Sequence, residues 1–252
     1  MNILELKGLR KQFGGLVAVN DIELDLKEGE IRGLIGPNGS GKTTLFNLIS
    51  GFLQPTKGTI IWRGKNITGK PVHSRAKEGI VRTFQLTTLL KDMTALQNVV
   101  LGCHLHMEMG LLEQVFGRAR KRQKENALVE RAVTLLKTMG IEDVKDELSG
   151  ALPHGYQRVL NIVITLACEP KLLLLDEPAT GLNPIETQQL MDRLKMLRDE
   201  RGLTIILVEH DMKAVMGNCE KISVMDFGKK IAEGSPEEVS KNEKVIEAYL
   251  GR

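Results

Sequence analysis

The apolar and polar positions near the N-terminus alternate, which is typical of half-exposed antiparallel strands. Residues 3–9 (ILELKGL) and 21–26 (DIELDL) both show this pattern, and they flank a connection over 11–20. A further hairpin is predicted where TIIW at 59–62 is followed by RGKN at 63–66. Together these segments predict an antiparallel part of a sheet.

Continuous apolar runs indicate strands that are buried on both faces, as in a parallel sheet. Such runs occur at 30–35 (EIRGLI), 171–176 (KLLLLD) and 203–208 (LTIILV). A strand over 79–85 is followed by a segment, 86–140, in which apolar residues recur at helical spacing. The recurring positions include Leu128, Ala132, Leu135, Leu136 and Met139. The pattern predicts an α/β fold with a mixed central sheet, parallel core plus antiparallel part, and an inserted helical segment.

The C-terminal part of the chain begins with a strong helix start. Asn183 is suited to the N-cap, Pro184 to the first helical position, and Glu186 completes a capping box, so a helix is predicted from there to about residue 200. A shorter helix through Val215 should follow. A strand pair over 221–225 and 229–232 and closing helices over 237–250 complete the prediction.

Composition narrows the functional classes. The 252 residues carry a net charge of +3 with 27% charged residues, so nothing favours nucleic acid as the main partner. Cys103, Cys168 and Cys219 are far apart, which predicts a reducing compartment and neither disulfides nor a zinc site. No apolar run approaches the ~18 residues that cross a bilayer. A soluble, intracellular protein is expected, and such a protein can still sit on a membrane protein.

The strongest motif is a phosphate-binding loop with the spacing G-x-x-x-x-G-K-[ST] over 36–43, between the strand at 30–35 and a helix at 43–49. Its glycines let backbone N–H groups turn toward phosphate oxygens, and the helix presents its positive end to the same anion. Lys42 can reach the β- and γ-phosphates, and the Thr43 hydroxyl can bind Mg²⁺. The predicted phosphate-binding residues are Gly36, Pro37, Asn38, Gly39, Ser40, Gly41, Lys42, Thr43 and Thr44.

Further features appear in a fixed order around this loop, and with them the chain resembles the ATPase subunit of an ATP-binding cassette (ABC) transporter. They are the aromatic Phe13, the loop itself, Gln85 at a strand end, the strand 172–177, the turn Thr180, Gly181, Leu182 and Asn183, and His210. The resemblance covers nearly the whole chain. It implies that 1–85 and 166–252 form a RecA-like core with an antiparallel β subdomain, and that 86–165 form a helical subdomain.

The resemblance also implies a role for each residue. Phe13 would stack on adenine, and Thr43, Gln85 and Asp176 would surround Mg²⁺, a cation that favours oxygen ligands. Glu177 would polarise the attacking water, in a reaction that depends mainly on positioning and charge stabilisation. His210 would contact the γ-phosphate. ATP and Mg²⁺ are therefore the expected cofactors.

The family's signature, usually LSGGQ, is altered in this chain. Leu148-Ser-Gly-Ala151 is a tempting match, but counting back from Asp176 favours Leu152, Pro153, His154, Gly155 and Tyr156. In this register Pro153 replaces the serine that normally meets the γ-phosphate bound to the opposing subunit. Losing one such hydrogen bond to a charged group costs roughly 1.5–3 kcal/mol if nothing compensates.

Within the family, the chain is most similar to the ATPases of branched-chain amino-acid importers, through 81–85 (VRTFQ), 93–102, the proline-containing signature and the ending 245–251. The similarity implies a head-to-tail homodimer or heterodimer with a homologous ATPase, permease subunits, an extracytoplasmic substrate-binding protein as an indirect partner, and no nucleic acid. It also implies a place in the cytoplasm on the inner face of the membrane.

Three alternatives remain open at this point. The first is an ATPase of lipopolysaccharide export, whose sequence has a similar ending. The second is a non-transport cassette protein of translation or DNA repair. The third is a regulatory subunit with weak hydrolysis, which would follow if the altered signature no longer supports turnover.

Overall fold

The computed structural model describes residues 1–83, 89–104, 118–209 and 212–250, and the chain forms two compact units. The first unit comprises Met1–Arg82, Lys171–Pro178 and Leu194–Arg252. The second comprises Thr83–Pro170 and Ala179–Arg193. The second unit thus includes residues 179–193, which the predicted division assigned to the core.

The strands of the described residues are β1 Asn2–Phe13, β2 Leu16–Lys27, β3 Ile31–Ile35, β4 Lys57–Trp62, β5 Lys65–Asn66, β6 Ile80–Arg82, β7 Leu172–Asp176, β8 Thr204–Val208, β9 Lys221–Asp226 and β10 Lys229–Gly234. The α-helices are α1 Lys42–Ser50, α2 Val72–Lys77, α3 Ala95–Cys103, α4 Arg118–Thr138, α5 His154–Ala167, α6 Pro184–Arg201, α7 Met212–Met216, α8 Pro236–Ser240 and α9 Glu243–Leu250. A short 3₁₀ helix covers Glu142–Val144.

An antiparallel sheet of four strands, in the order β2-β1-β4-β5, lies in the first unit and confirms the predicted hairpins. The prediction of a connection over 11–20 is wrong, because β1 and β2 continue to a tight turn at Gly14 and Gly15. Register shifts interrupt their pairing here as they do earlier in the pair, and the alternation of apolar and polar residues over 3–9 and 21–26 does not continue into this part.

The second sheet has six strands in the order β10-β9-β3-β8-β7-β6, all parallel except for the antiparallel pair β9–β10. Every residue of β3, β7 and β8 is buried, as the continuous apolar runs predict. The strand predicted over 79–85 is shorter: β6 ends at Arg82, and residues 84–88 lie outside the described part of the chain.

Helix α1 is fixed by a single apolar core in the first unit. Leu45, Phe46, Leu48 and Ile49 of this helix are buried together with residues of β1, β2, β4, β7 and β8. The helix ends at Gly51, whose left-handed backbone (φ 88°) forms its C-cap. Because both β3 and α1 are anchored in this way, the connection between them has fixed ends.

The second unit is mainly helical, as the spacing of its apolar residues predicts. Ala132, Leu135 and Leu136 on α4 and Met139 just after it are buried. Helices α3 and α5 approach closely at Gly102, where an added Cβ would lie 2.8 Å from the Ile164 carbonyl oxygen. Among the described residues, no helix is both long enough and apolar enough to cross a membrane.

Candidate functional site

The loop between β3 and α1 is held by close backbone contacts that only glycine permits. Gly36 has φ 149°, and a Cβ there would lie 2.0 Å from the Met225 carbonyl oxygen. Gly41 has φ 102°, and a Cβ there would lie 2.4 Å from the Ala18 carbonyl oxygen. The Gly228 N–H also donates to the Ser40 carbonyl at 2.9 Å. The loop therefore has a defined shape, supported by β2 and by the β9–β10 turn.

Lys42 points back into this loop. Its Nζ donates to the carbonyl oxygens of Gly36, at 2.7 Å, and Pro37, at 2.9 Å. Burial lowers the pKa of Lys42, while the charges of Glu177 and Asp176 act in the opposite direction. The ammonium group is thus held inside the loop and senses both carboxylates.

Two observations favour an anionic phosphate group as a ligand of this loop. In the described structure α1 has no acidic residue in its first turn, so nothing there neutralises the positive end of its dipole. The buried Ser40 hydroxyl has no hydrogen-bond partner among the described residues. Buried hydroxyl groups are normally hydrogen-bonded, so this oxygen is suited to a ligand.

The two carboxylates lie at the C-terminal end of β7. Asp176 is the last residue of the strand and is 1% exposed. Glu177 follows with φ 51°, a left-handed conformation that is uncommon for a residue other than glycine, and its N–H donates to the Val208 carbonyl at 2.8 Å. Backbone strain of this kind clusters at functional sites. The carboxyl ends of parallel strands are also where open α/β sheets bind ligands.

The other residues predicted to contact the nucleotide or its metal ion are Phe13, Thr43, Gln85 and His210. Phe13, at the tip of the β1–β2 hairpin, is 44% exposed, and the Lys11 Nζ lies 5.0 Å from its ring centroid. An aromatic face is therefore accessible there. Thr43 is exposed in the first turn of α1. Gln85 and His210 lie outside the described residues.

The candidate signature lies at the start of α5 in the second unit. The helix begins at His154, with Pro153 at the N-cap, and the Gln157 Nε2 donates to the Leu152 carbonyl at 2.8 Å. In the rejected register, by contrast, Ser149 is fully buried and its hydroxyl donates to the Leu90 carbonyl at 2.9 Å. A helix N-terminus is thus presented by 152–156 and not by 148–151.

Within the same unit, the signature segment neighbours the turn 180–183. A Cβ added to Gly155 would lie 3.2 Å from the Leu182 side chain. The predicted capping box of α6 is confirmed: the Asn183 Oδ1 accepts from the N–H of Glu186 at 3.0 Å, and the Glu186 Oε2 accepts from the N–H of Asn183 at 2.8 Å. Charge from Asp143 raises the pKa of Tyr156, whose hydroxyl donates to that carboxylate at 3.3 Å.

Two contacts at the loop and the carboxylates involve residues that the sequence pattern does not reveal. Arg82 pairs with Asp176, with 2.7 Å between Nη2 and Oδ2. Tyr249 on α9 is hydrogen-bonded by the Gly36 backbone, and burial raises the pKa of its hydroxyl. A charged residue in a short strand that is otherwise apolar is a weak signal for Arg82. No signal exists for Tyr249, because its contact joins a residue near the C-terminus to a loop in the N-terminal part of the sequence.

Profiles of two protein families match the chain. The ABC transporter family matches residues 19–180, and a family described as branched-chain amino acid ATP-binding cassette transporter matches residues 229–252. The chain is 43% identical over 249 residues to the high-affinity branched-chain amino acid transport ATP-binding protein BraF of Pseudomonas aeruginosa. This alignment covers 99% of this chain and 98% of that protein. It is 41% identical, with the same coverage, to LivG of Escherichia coli K12.

Solved structures agree with these relatives. A nucleotide-free ATP-binding cassette from an ABC transporter has a TM-score of 0.87 at 32% identity, with 100% of both chains covered. A dimeric bacterial ABC transporter cassette has a TM-score of 0.80 at 26% identity, covering 92% of this chain and 98% of that one.

A glycine-rich loop with the spacing G-x-x-x-x-G-K-[ST], between a buried parallel strand and a helix on a mixed sheet, is the arrangement of a P-loop ATPase. The chain belongs to the ABC transporter family, as an ATP-binding subunit homologous to those of branched-chain amino-acid transport. The family and fold class predicted from the sequence are confirmed.

Proposed function

We propose that this chain binds and hydrolyses ATP to power the import of branched-chain amino acids across a membrane. The observation that carries the catalytic part is the loop over 36–43, in which the buried Lys42 senses the charges of Asp176 and Glu177. The transported substrate is inferred from the names of the relatives and from the C-terminal family match over 229–252.

In this mechanism the loop supplies the phosphate cradle. Backbone N–H groups of 39–44 and the start of α1 surround the phosphates, and Lys42 exchanges its contacts with the Gly36 and Pro37 carbonyls for the terminal phosphates. Phe13 stacks on the adenine. These residues hold the triphosphate in one orientation, which is where most of the catalysis of phosphoryl transfer resides.

The carboxylates and their neighbours complete the reaction centre. Asp176, Thr43 and Gln85 would hold Mg²⁺ through their oxygen atoms, and the ion would supply positive charge to the phosphates. Glu177 orients the attacking water and accepts its proton, and His210 donates to the γ-phosphate. The strained backbone of Glu177 supports its assignment, because it fixes the direction in which this carboxylate leaves the strand.

We further propose that two cassettes work head to tail, with the α5 N-terminus and residues Leu152–Tyr156 of one covering the ATP bound to the other. A dimeric relative supports this arrangement. The second cassette is an identical or a homologous chain. The helical subdomain would pass the closure of the dimer to permease subunits on the inner face of the membrane, and an extracytoplasmic binding protein would deliver the amino acid.

Purification of the chain from its native membranes tests this function. We expect permease subunits to co-purify, and we expect leucine together with its binding protein to stimulate ATP hydrolysis in proteoliposomes. A Lys42→Ala variant is the matched inactive control. Lipopolysaccharide-export subunits, ribosomes or DNA in place of the permeases would contradict the import function. Normal transport by the Lys42→Ala variant would contradict the proposed role of the loop.

A further inference from the structure

Arg82 is a buried cation that contacts the carboxylate of Asp176, the residue proposed to bind Mg²⁺. Its side chain is 6% exposed, and its Nη2 lies 2.7 Å from the Oδ2 of Asp176, which is 1% exposed. Both residues end strands of the same sheet, since β6 pairs with β7 and Arg82 is opposite Leu174 in the register. The ion pair is therefore part of the first unit's interior.

Other contacts hold the guanidinium in place. The Nη1 of Arg82 donates to the Oδ1 of Asn47 at 2.5 Å, and its central carbon lies 5.4 Å from the centroid of the Phe46 ring. Asn47 and Phe46 belong to α1, the helix that begins at Lys42. Arg82 thus connects the helix after the phosphate loop with the strand that carries Asp176. Its planar group makes these contacts at the same time, which a lysine ammonium cannot reproduce.

We propose that Arg82 is the resident counter-ion of Asp176 and that it sets the Mg²⁺ requirement of the site. This inference rests on the proposed role of Asp176 in metal binding. A buried carboxylate is strongly unfavourable unless it is paired with a positive charge and hydrogen-bonded, and Arg82 supplies such a pairing at 2.7 Å while its contacts with α1 hold the Asp176 side chain in position. The same positive charge weakens the attraction of the carboxylate for Mg²⁺, since two cations then share one anion.

The charge of Arg82 can be removed while hydrogen-bonding capacity is kept, by Arg82→Gln. Binding of a fluorescent ADP analogue is measured as a function of Mg²⁺ concentration. In the Arg82→Gln variant we expect half-saturation at an Mg²⁺ concentration about fivefold lower or more, at the lower end of typical couplings between two ligands. The matched control, Arg82→Lys, loses the simultaneous contacts with α1 but retains the positive charge, so its Mg²⁺ requirement should stay within about twofold of the wild type. An unchanged or higher Mg²⁺ requirement in Arg82→Gln would overturn the proposal.

A double-mutant cycle tests the pair without nucleotide. Arg82→Gln alone should lower the unfolding temperature, because Asp176 is then buried without this partner, and adding Asp176→Asn should restore most of the loss. If the two substitutions lower the unfolding temperature additively, the pairing of Arg82 with Asp176 is contradicted. The comparison with the double variant remains valid even if Arg82→Gln alone folds poorly. Asp176→Asn alone separates the two hypotheses. If it leaves the Mg²⁺ requirement unchanged, the metal role of Asp176 fails. If it raises that requirement while Arg82→Gln does not lower it, only the counter-ion inference fails.

Discussion

Replacing Glu233 with glutamine should remove a large, pH-dependent contribution to the stability of the first unit. Glu233 lies on β10 and contacts three cations: Lys221, Lys230 at 2.5 Å, and Arg32 at 3.4 Å. Burial by itself would raise the pKa of Glu233. The hydrogen bonds from Lys221 and Lys230 and the charge of Arg32 outweigh it and lower the pKa from 4.5 to about 2.

The magnitude follows from the difference between the pKa values of the folded and unfolded states. A carboxyl group whose pKa falls from 4.5 to about 2 on folding contributes at most about 3 kcal/mol to the free energy of unfolding. The side chain is 18% exposed, so solvent screening reduces the expected contribution to about 2–3 kcal/mol. Because the folded pKa is the lower one, this stability is fully present above pH 4.5 and is lost as the pH falls toward 2.

The assay uses the single tryptophan of the chain. Trp62 is 3% exposed in the core of the first unit, so its fluorescence reports the unfolding of that unit in guanidinium chloride. At pH 7 the Glu233→Gln variant should lose about 2–3 kcal/mol relative to the wild type. At pH values between 4.5 and 2 the difference should shrink, reaching about half near pH 3.3.

Glu23→Gln is the matched control, because Glu23 is exposed on β2 of the same unit. This variant should stay within about 0.5 kcal/mol of the wild type at every pH. A difference in stability for Glu233→Gln that is absent at pH 7, or that grows on acidification, would refute the proposed stabilisation of Glu233 by Lys221, Lys230 and Arg32.

The remaining predictions concern catalysis, the start of α6 and thiol reactivity. Glu177→Gln should lower ATP turnover about 10²–10⁴-fold in a phosphate-release assay while a nucleotide-binding assay shows retained affinity; unchanged turnover would exclude Glu177 as the base. Asn183→Ala removes the capping box of α6 and should cost about 1 kcal/mol in denaturant unfolding, whereas Gln188→Ala on the exposed surface of the helix should cost less. Burial raises the pKa of Cys219 to about 12. At pH 8 iodoacetamide should therefore alkylate this thiol about a thousandfold more slowly in the folded protein than in the denatured chain. Equal alkylation rates would show that the thiol is accessible.

The strands β3, β7 and β8 and the helix that follows the glycine-rich loop could be predicted because their signals are local. Continuous apolar runs correspond to β3, β7 and β8, all of whose residues are buried. The start of α6 follows from hydrogen bonds between residues three apart in sequence, Asn183 and Glu186. In such cases the residue types alone determine the local conformation.

Features that depend on distant contacts were not visible in the sequence. The pairing of β1 with β2 extends to Phe13 through bulges, although alternation is lost there. Arg82 meets Asp176 across 94 positions of the chain, and Tyr249 meets Gly36 from the other end of the chain. Hydrophobic periodicity reports which face of an element is buried, but it does not report which polar groups meet after folding.

A structure of the Glu177→Gln variant with ATP and Mg²⁺ tests the central claim most directly. The account predicts a triphosphate in contact with Lys42, with its γ-phosphate covered by residues 152–156 from a second copy or a homologous cassette. A triphosphate bound elsewhere would contradict it, as would a γ-phosphate that remains uncovered when both cassettes and the permease are present.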